Sequence, residues 1–541
     1  MEEEFEDLEI EQSEQPMTTA QMTACMLEYI VALMCATIFI LVPLYMKDGY
    51  FGIGTGKYEM YRNILFLVAP LLALFSVIYL FAIRKQITWK WIKENLSVID
   101  KAVLVYLVCV ITSFILSEFK AEAIWGYKGW FMGLMSQISF VLLYFFVSRF
   151  GRYGKVLLPL LCLVSVIVFV LGILNRFLID PLGVYAEIDE RYKLEFLSTL
   201  GQSSWYSSFM CTVLPMGIYY FWSAQSGWKS VLGGIYCIIG FSTLITQNSD
   251  SAYIALLGIL VVLFCFSAKN SEKMEKFYWV TFLFLVATRL MNLGAQILNN
   301  QMIEKLETLS YFLIMSPILW GLLVFNVLLL LGHTIVQRRG CYSIRVAMVV
   351  RNIVLGLLVV AVVFSVLCLW LSGTGKLPQS IAGITNQIPY LQWNDMWGNR
   401  RGFSWRITWQ MFMEMSPLDK IFGVGPECYP FYAYDRYQAV LDTMFDGLVL
   451  SNAHNEWYNA VINYGIVGGA SYLGIFVVAI RHFAKKVADE PMMVGVVLVL
   501  IAYMGHNLFC YQQVLCTPFV FIIIGIAEWT IQQAKRTKRG M

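Results

Sequence analysis

The residues best suited to chemistry are His454, Asn455 and Glu456, which follow one another in SNAHNEWYNAVINYGIVGG, residues 451–469. They stand where a polar segment gives way to an apolar helix, and the chain holds only four histidines in 541 residues. The ordinary pKa of histidine lies near neutral pH, so His454 suits proton transfer from a hydroxyl nucleophile. Glu456 is the competing base. The alternative for His454 is structural: it would satisfy a backbone carbonyl at a membrane interface.

Two arginines, Arg401 and Arg406, precede this triplet in the same polar segment, the second of them within SWRITWQMFMEMSP. A guanidinium group is a planar fork of donors that matches phosphate oxygens. In a water-poor site, each donor aimed at a leaving group contributes about 2–4 kcal/mol to the transition state. Together with the histidine, the arginines suit a site that binds an anion beside a group able to accept a proton. Snorkelling toward lipid phosphates is the alternative for both.

Further candidates are ionisable residues in or beside apolar segments, where an unpaired charge is expensive and therefore suggests function. They are Asp250 in TQNSDSAYIAL, Arg289 in ATRLMNLGAQ and Lys128 in WGYKGW. Asp250 could bind sugar hydroxyls or orient an acceptor, although solvation at a helix end would also explain it. Arg289 could pair with Asp250, bind a lipid phosphate or snorkel. Lys128 lies between aromatic rings that suit stacking on sugars, and an interfacial aromatic belt explains them equally.

The chain that carries these residues is unusually apolar, with 59% hydrophobic and 14% charged residues. A soluble domain has about 25% charged residues. Apolar runs of about 20 residues recur along the chain, and each is long enough to cross a hydrocarbon core of about 30 Å as a helix. Every backbone group in that core must be paired within the protein, so helices are expected. The composition predicts an all-α, polytopic integral membrane protein, with no nucleic acid among its partners.

The apolar runs predict about 14 transmembrane helices and one long structured extracellular loop. We expect an acidic cytoplasmic tail over residues 1–24, helices 1–11 within 25–372, an extracytoplasmic loop over 373–455, helices 12–14 within 456–531, and a basic cytoplasmic tail over 532–541. The predicted spans are 25–46, 64–83, 102–118, 131–148, 156–174, 201–222, 230–246, 250–268, 278–296, 312–332, 352–372, 456–480, 491–511 and 515–531.

The distribution of positive charge predicts the orientation of these helices. Cytoplasmic loops are enriched in lysine and arginine. Of the 39 lysines and arginines, 23 fall in the short segments 84–101, 149–155, 223–229, 269–277, 333–351 and 481–486 and in the tail after 531. An even number of spans places both termini on one side. We therefore predict that both termini are cytoplasmic and that the loop 373–455 lies outside.

The loop 373–455 has the pattern of a folded segment, because long loops without structure of their own are uncommon. One helical face, suited to lying in the headgroup layer, is formed by Trp405, Trp409, Phe412 and Met413. Ser404 could cap the start of this helix, and Pro417 disfavours helix at the residue before it. Gly423 and Gly425 permit tight turns of the backbone close to another surface.

The order of short motifs in this loop resembles the O-antigen ligase and polymerase superfamily of bacterial membrane glycosyltransferases. The motifs are Arg-x-x-Trp, Pro-Leu, a Gly-Val-Gly-Pro turn, His-Asn and a Gly-x-x-Gly helix, found here at 406–409, 417–418, 423–426, 454–455 and 465–468. The resemblance is strongest over residues 400–475, and the helical layout extends it over most of the chain.

The resemblance implies a C-type glycosyltransferase that spans the inner membrane of a bacterial cell many times. Such an enzyme transfers or polymerises an oligosaccharide from a polyprenyl-diphosphate carrier on the outer face. An acceptor hydroxyl attacks the anomeric carbon, and the lipid diphosphate leaves. By motif, Arg406 matches the arginine that contacts the diphosphate and His454 the histidine near the reacting centre, while Arg401 could share or replace the role of Arg406. No metal and no cofactor are implied.

The expected site follows from the residues and the resemblance together. Its catalytic residues are His454, Arg406 and Glu456, and its substrate-binding residues are Arg401, Asn455, Asp250, Arg289 and Lys128. One position departs from the family pattern, since members often have a Ser-Arg pair preceded by Thr where this chain has Ser249, Asp250 and Ser251. An acid cannot hold a phosphate as arginine does. Either Arg401 supplies the second positive charge, or the diphosphate is held differently.

Two classes of function remain open. Glycosyl transfer, by a polymerase or a ligase, needs a polyprenyl-diphosphate-linked oligosaccharide, a glycan or lipid acceptor and membrane lipid, and a chain-length regulator could assist. The alternative is a transporter, such as a flippase of the same lipid-linked glycan. Transporters often show internal repeats and broken helices at the bilayer midplane. The halves of this chain show no such similarity and its polar features cluster outside the spans, which favours surface chemistry.

Overall fold

The computed structural model describes residues 16–538 except 187, 191, 226, 299 and 387. Residues 1–15 of the predicted acidic tail and residues 539–541 of the predicted basic tail lie outside the described residues. The described chain is almost entirely helical and contains one short two-stranded ladder. The predicted all-α fold is confirmed.

Twenty-one α-helices, labelled in chain order, form within the described residues. They are α1 (Thr19–Leu44), α2 (Ile53–Ile83), α3 (Trp89–Asn95), α4 (Val98–Leu116), α5 (Lys120–Trp125), α6 (Leu134–Phe150), α7 (Gly154–Arg176), α8 (Ser203–Ser223), α9 (Trp228–Thr246), α10 (Ser251–Ser267), α11 (Ser271–Ile297), α12 (Thr308–Met315), α13 (Ile318–Arg338), α14 (Ile344–Gly373), α15 (Gln379–Thr385), α16 (Trp397–Glu414), α17 (Pro417–Phe422), α18 (Tyr429–Phe445), α19 (Glu456–Ala484), α20 (Met493–His506) and α21 (Thr517–Lys538). Short 3-10 helices cover Asn300–Ile303 and Pro389–Leu391, and strands β1 (Phe196–Leu197) and β2 (Gly201–Gln202) pair antiparallel.

Nine helices of the described chain are long and apolar enough to cross a membrane: α1, α2, α4, α7, α9, α11, α13, α14 and α19. Three shorter apolar helices, α6, α10 and α20, and the longer helices α8 and α21 cover the other five predicted spans. The polytopic architecture is therefore confirmed, and the count of fourteen stays a prediction. The predicted span 312–332 is divided, because Pro317 separates α12 from α13 and lacks the N–H needed to continue a helix.

The interior of the bundle is formed by α8, α20 and the apolar part of α21, which are buried on nearly all sides. α8 packs against α20, α20 against α10, and α21 against α6. The Nε2 atom of His506 on α20 lies 2.9 Å from the Ser208 hydroxyl on α8. The contact links two helices of the interior, as polar residues within membrane spans commonly do.

The loop between α14 and α19 covers residues 374–455 and contains α15 to α18, so the predicted structured loop is confirmed. The predicted cap at Ser404 is wrong. The helix α16 begins earlier, at Trp397, and is interrupted by left-handed backbone at 398–400; the Ser404 hydroxyl donates to the Arg400 carbonyl at 3.1 Å. Pro417 begins α17 as its first residue, after the capping residue Ser416.

This loop is anchored to the bundle where α19 is interrupted. Gly465 has φ +70°, and a Cβ there would lie 2.2 Å from the Ile421 carbonyl carbon. At this break the backbone N–H groups of Val424 and Gly425 donate to the carbonyls of Ile462 and Asn463, each at 3.0 Å.

The predicted role of the two loop glycines is confirmed at the same place. Gly423 and Gly425 have φ +80° and +118°, a region that strongly favours glycine. A Cβ on Gly423 would lie 2.3 Å from the Asn463 carbonyl oxygen. The turn therefore fits directly against the interrupted helix.

Candidate functional site

A cavity with a volume of about 950 Å³ lies among loops and helix ends. Its lining comes from five parts of the chain: 195–204, 248–254, 305–309, 389–401 and Phe509. All five lie in, or next to, segments predicted to be extracytoplasmic. The loop 374–455 contributes the fourth of these parts, between residues 389 and 401, so this loop helps to build the cavity rather than only covering it.

Arg401 is placed in the cavity by an unusual turn. Gly398, Asn399 and Arg400 have φ values of +58°, +60° and +66°, and left-handed backbone costs roughly 1–2 kcal/mol at each residue that has a Cβ. Across this turn the Nη1 of Arg401 donates to the Gly398 carbonyl at 2.6 Å, and its Nε donates to the Phe509 carbonyl at 3.2 Å. Strained backbone persists where the surrounding structure imposes it, and it clusters at functional sites.

The charge of Arg401 is not balanced by a close carboxylate. It forms no ion pair with any described residue, and its Nη2 makes no hydrogen bond to one. Burial lowers the pKa of Arg401, although a guanidinium stays protonated in proteins. A largely buried guanidinium with a donor facing a cavity is suited to bind an anion.

Asp250 reaches the same cavity from the residue before α10. The Tyr390 hydroxyl donates to its Oδ2, while Oδ1 is enclosed and has no partner among the described residues. Burial raises the pKa of Asp250, and the hydrogen bond from Tyr390 partly offsets that effect. The structure thus brings two of the expected substrate-binding residues, Arg401 and Asp250, to one cavity.

Aromatic rings and neutral polar groups form much of the remaining wall. Tyr390, Trp397 and Phe509 line the cavity, and the Trp397 indole N–H donates to the Tyr390 carbonyl at 3.1 Å. Polar neutral groups are supplied by Gln202, Ser203, Ser204, Asn248, Ser249, Ser251, Thr308, Gln392, Asn394 and Asn399. Rings beside amide and hydroxyl groups can stack on the apolar faces of sugars and bond their hydroxyls.

His454 lies in the same outer region but does not line this cavity. It has left-handed backbone, with φ +49°, and its N–H donates to Asn452 Oδ1 at 2.9 Å. Its ring packs against Tyr511 with centroids 5.6 Å apart, and neither ring nitrogen bonds to a described residue. Burial and then the positive charge of Arg401 lower the pKa of His454 to about 3. His454 is therefore neutral at physiological pH.

Asn455 and Glu456 have structural partners. The Asn455 side chain caps α19, accepting from the N–H groups of Trp457 and Tyr458 at 3.0 and 3.2 Å. Glu456 is buried and accepts from the Gln512 N–H at 2.9 Å. It lines a separate small cavity with Glu427, a buried acid that the sequence did not single out. The structure therefore does not bring Glu456 and Arg401 to the same cavity.

Three further candidates lie away from the large cavity. Arg406 forms a two-donor ion pair with Asp395, at 2.9 and 2.7 Å. Arg289 donates to the Ile314 carbonyl at 3.0 Å and so caps α12, which means that its suggested pairing with Asp250 is not formed. Lys128 is exposed on the loop before α6 and does not line the cavity.

The cavity also contains residues that sequence reasoning missed, chiefly Tyr390, Trp397 and Glu307. The cluster of aromatic and amide residues in PYLQWNDMWGN, residues 389–399, could have indicated the first two. Glu307 lies just before α12 and carries no comparable signal, because only the tertiary fold brings it beside Asp250.

The fold and the cavity define a class: a multi-pass helical membrane protein with a polar, aromatic site formed by loops on one side. Residues 306–473 match the family model described as O-antigen ligase. This range contains Glu307, Tyr390, Arg401 and His454. The predicted resemblance is confirmed, and the match supports a membrane glycosyltransferase-like role as ligase or polymerase, with lipid-linked oligosaccharide and glycan acceptor as general substrates. A search of curated proteins finds no match for this chain.

Proposed function

We propose that the protein transfers or polymerises oligosaccharide from a polyprenyl-diphosphate carrier on the outer face of the bacterial inner membrane. The observation that carries this proposal is Arg401: a guanidinium without a carboxylate partner, facing a cavity whose walls suit sugars. We assign Arg401, rather than Arg406, as the main contact of the diphosphate. For Arg406 to take that role, its ion pair with Asp395 would have to open.

In the proposed reaction, the acceptor oxygen forms a bond to the anomeric carbon while the bond from that carbon to the diphosphate oxygen breaks. The electron pair of the broken bond leaves with the lipid diphosphate. Arg401 stabilises the charge that develops there, and a donor preorganised in a water-poor site contributes about 2–4 kcal/mol. The positive charge of Arg401 is then shared with an anion, and so its effect on the neighbouring His454 is weaker.

We assign His454 as the base that receives the proton of the acceptor hydroxyl. In the free protein its pKa is about 3, so the ring is neutral and able to accept. A bound diphosphate would raise that pKa, because it offsets the repulsion from Arg401. Asp250 and Tyr390, which are hydrogen-bonded to one another, would orient the acceptor from the cavity wall. Asp250 is the competing base, and its place in the same cavity as Arg401 is the observation that favours it.

The remaining expected site residues keep supporting roles in this proposal. Asn455 and Glu456 would fix the start of α19, and thereby the position of His454. Arg289 would stabilise the end of α12, and the exposed Lys128 would meet lipid phosphates or the distal part of the glycan. A chain-length regulator is compatible with the polymerase form of the proposal.

The proposal is tested with purified protein in nanodiscs and a polyprenyl-diphosphate oligosaccharide, following product length and released lipid diphosphate by mass spectrometry. A ladder of repeat units without added acceptor would establish a polymerase. Release that requires a second acceptor would establish a ligase. An intact substrate that crosses the bilayer of a proteoliposome would overturn glycosyl transfer in favour of the transporter.

A further inference from the structure

The walls of the large cavity carry an uneven distribution of charge. Three carboxylates line it, those of Glu195, Asp250 and Glu307, against two cations, Arg401 and Lys305. The acids come from three separate parts of the chain, so their convergence is a property of the fold. Glu195, Glu307 and Lys305 are largely exposed near the rim, whereas Asp250 is only partly exposed.

Asp250 and Glu307 act on one another electrostatically. Burial raises the pKa of Glu307, and the negative charge of Asp250 raises it further, while Arg401 acts in the opposite direction. The enclosed Oδ1 of Asp250 lacks a partner, and neither Asp250 nor Glu307 forms an ion pair with a described residue. The lining as a whole carries one more carboxylate than cations, and these carboxylates are hydrogen-bond acceptors.

The proposed function assigns Arg401 to the diphosphate. Once that cation is engaged, the sugar beside the diphosphate meets Asp250, Glu307 and Glu195 with only Lys305 opposing them. An added carboxylate on that sugar would be repelled and would lose hydration without gaining a partner. A hydroxyl or an ammonium group would donate to a lining carboxylate instead.

We propose, resting on the proposed function, that the glycan held in this cavity is neutral or bears a free amino group, and that uronic acids are excluded from it. The rings of Tyr390, Trp397 and Phe509 would contact the apolar sugar faces, and the lining acids would select against negative charge. Like-charge juxtaposition is a recognised device for rejecting an unwanted ligand.

The test uses three polyprenyl-diphosphate trisaccharides that differ only in the sugar next to the diphosphate: glucose, glucosamine with a free amine, or glucuronic acid. The measurement is kcat/KM for release of lipid diphosphate by the full-length protein in nanodiscs. The neutral and amino donors are expected to react, with the uronate donor at least about tenfold slower, a difference typical of one unfavourable charge contact.

In the Glu307→Gln variant, the ratio of kcat/KM for the neutral donor to kcat/KM for the uronate donor is expected to fall severalfold. In the double variant Asp250→Asn, Glu307→Gln this ratio is expected to fall further, even if both kcat/KM values are lower. Glu304→Gln is the matched control, because Glu304 is exposed nearby and does not line the cavity; it should leave the ratio unchanged. This inference alone would be overturned if the wild-type protein had equal kcat/KM for the uronate and neutral donors. It would also be overturned if the ratio of these two values were unchanged in both lining variants. No release from any donor, with or without an added acceptor, would overturn the proposed function as well.

Discussion

At the scale of single residues, the proposed site rests on one cation, Arg401, and one neutral imidazole, His454, that interact through space. Arg401 lowers the pKa of His454, and both depend on left-handed backbone, at 398–400 for the arginine and at residue 454 itself for the histidine. The sequence indicated His454 by type and motif, and Arg401 by type as a neighbour of the motif arginine Arg406. It could not choose between Arg401 and Arg406, because the ion pair with Asp395 and the turn at 398–400 arise only in the folded loop.

Arg401→Lys is expected to lower the rate of lipid-diphosphate release by about 10²–10³, since a point charge replaces a fixed fork of donors. Arg406→Lys, which alters an exposed ion pair, should change the rate only by about two- to threefold. Arg400→Lys is the matched control next to the site, because Arg400 pairs with Asp446 outside the cavity. If Arg406→Lys lowered the rate of lipid-diphosphate release more than Arg401→Lys did, Arg406 would be the main contact of the diphosphate.

His454→Asn is expected to reduce kcat by about 10²–10⁴ with little change in KM, as expected for loss of a general base. Asparagine is the informative replacement, because it tolerates the left-handed backbone that alanine resists. Thermal unfolding followed by tryptophan fluorescence would show whether the fold is intact. Nearly full activity in His454→Asn combined with strong loss in Asp250→Asn would assign the base to Asp250.

The lowered pKa of His454 also predicts how stability depends on pH. The folded value is about 3 and the unfolded value about 6.5, so the unfolded chain binds more protons between these limits. The stability that comes from the neutral imidazole is fully present above pH 6.5 and is lost progressively as pH falls toward 3. The melting temperature of His454→Asn should therefore fall less steeply between pH 7 and pH 5 than that of the wild type. Identical slopes would contradict the burial of this group.

At the scale of elements, the interruption of α19 lets this helix hold the extracytoplasmic loop, which a continuous helix could not do. Its break at Gly465 leaves carbonyls that the loop turn at 423–425 uses as partners. The periodicity of the sequence predicted a span over 456–480 and a close turn at Gly423 and Gly425. It could not predict the break, because Gly465 differs in no local way from the other glycines of YGIVGGA.

Gly465→Ala is expected to destabilise the protein by roughly 2–5 kcal/mol, since it combines a strained φ with a Cβ that overlaps the Ile421 carbonyl. Gly474→Ala in the same helix is the control, because a Cβ at Gly474 meets nothing within 4 Å. The measurement is thermal unfolding in detergent. Equal melting temperatures for the two variants would show that the break does not anchor the loop.

At the scale of the whole molecule, hydrophobic runs and charge distribution predicted most of the architecture, because lipid imposes one simple rule on every span. The cavity lay beyond such reasoning, since its walls come from segments hundreds of residues apart, such as Glu195 and Tyr390. All of these walls fall on one predicted side. The placement agrees with the predicted topology, in which those loops lie outside.

That topology predicts a pattern of chemical labelling. Cys341 is exposed between α13 and α14, in a loop predicted to be cytoplasmic, and Leu448 is 71% exposed in the loop predicted to lie outside. In intact cells a membrane-impermeant maleimide should spare Cys341, and should label Leu448→Cys made in a Cys341→Ser background. Permeabilised cells should show labelling at both positions. The reverse pattern in intact cells would invert the assigned orientation.

The loop is anchored by one segment and lines the cavity with another, and this separation has a consequence for engineering and for divergence among relatives. The segment that anchors the loop, residues 417–433 against α19, is separate from the segment that lines the cavity, residues 389–401. Substitutions in the second segment can accumulate without loosening the first. Replacing residues 389–399 by a different sequence is therefore a way to change which glycans the proposed site accepts. Variants in which the loop still folds against α19 can be selected first and then compared for the glycans that they use.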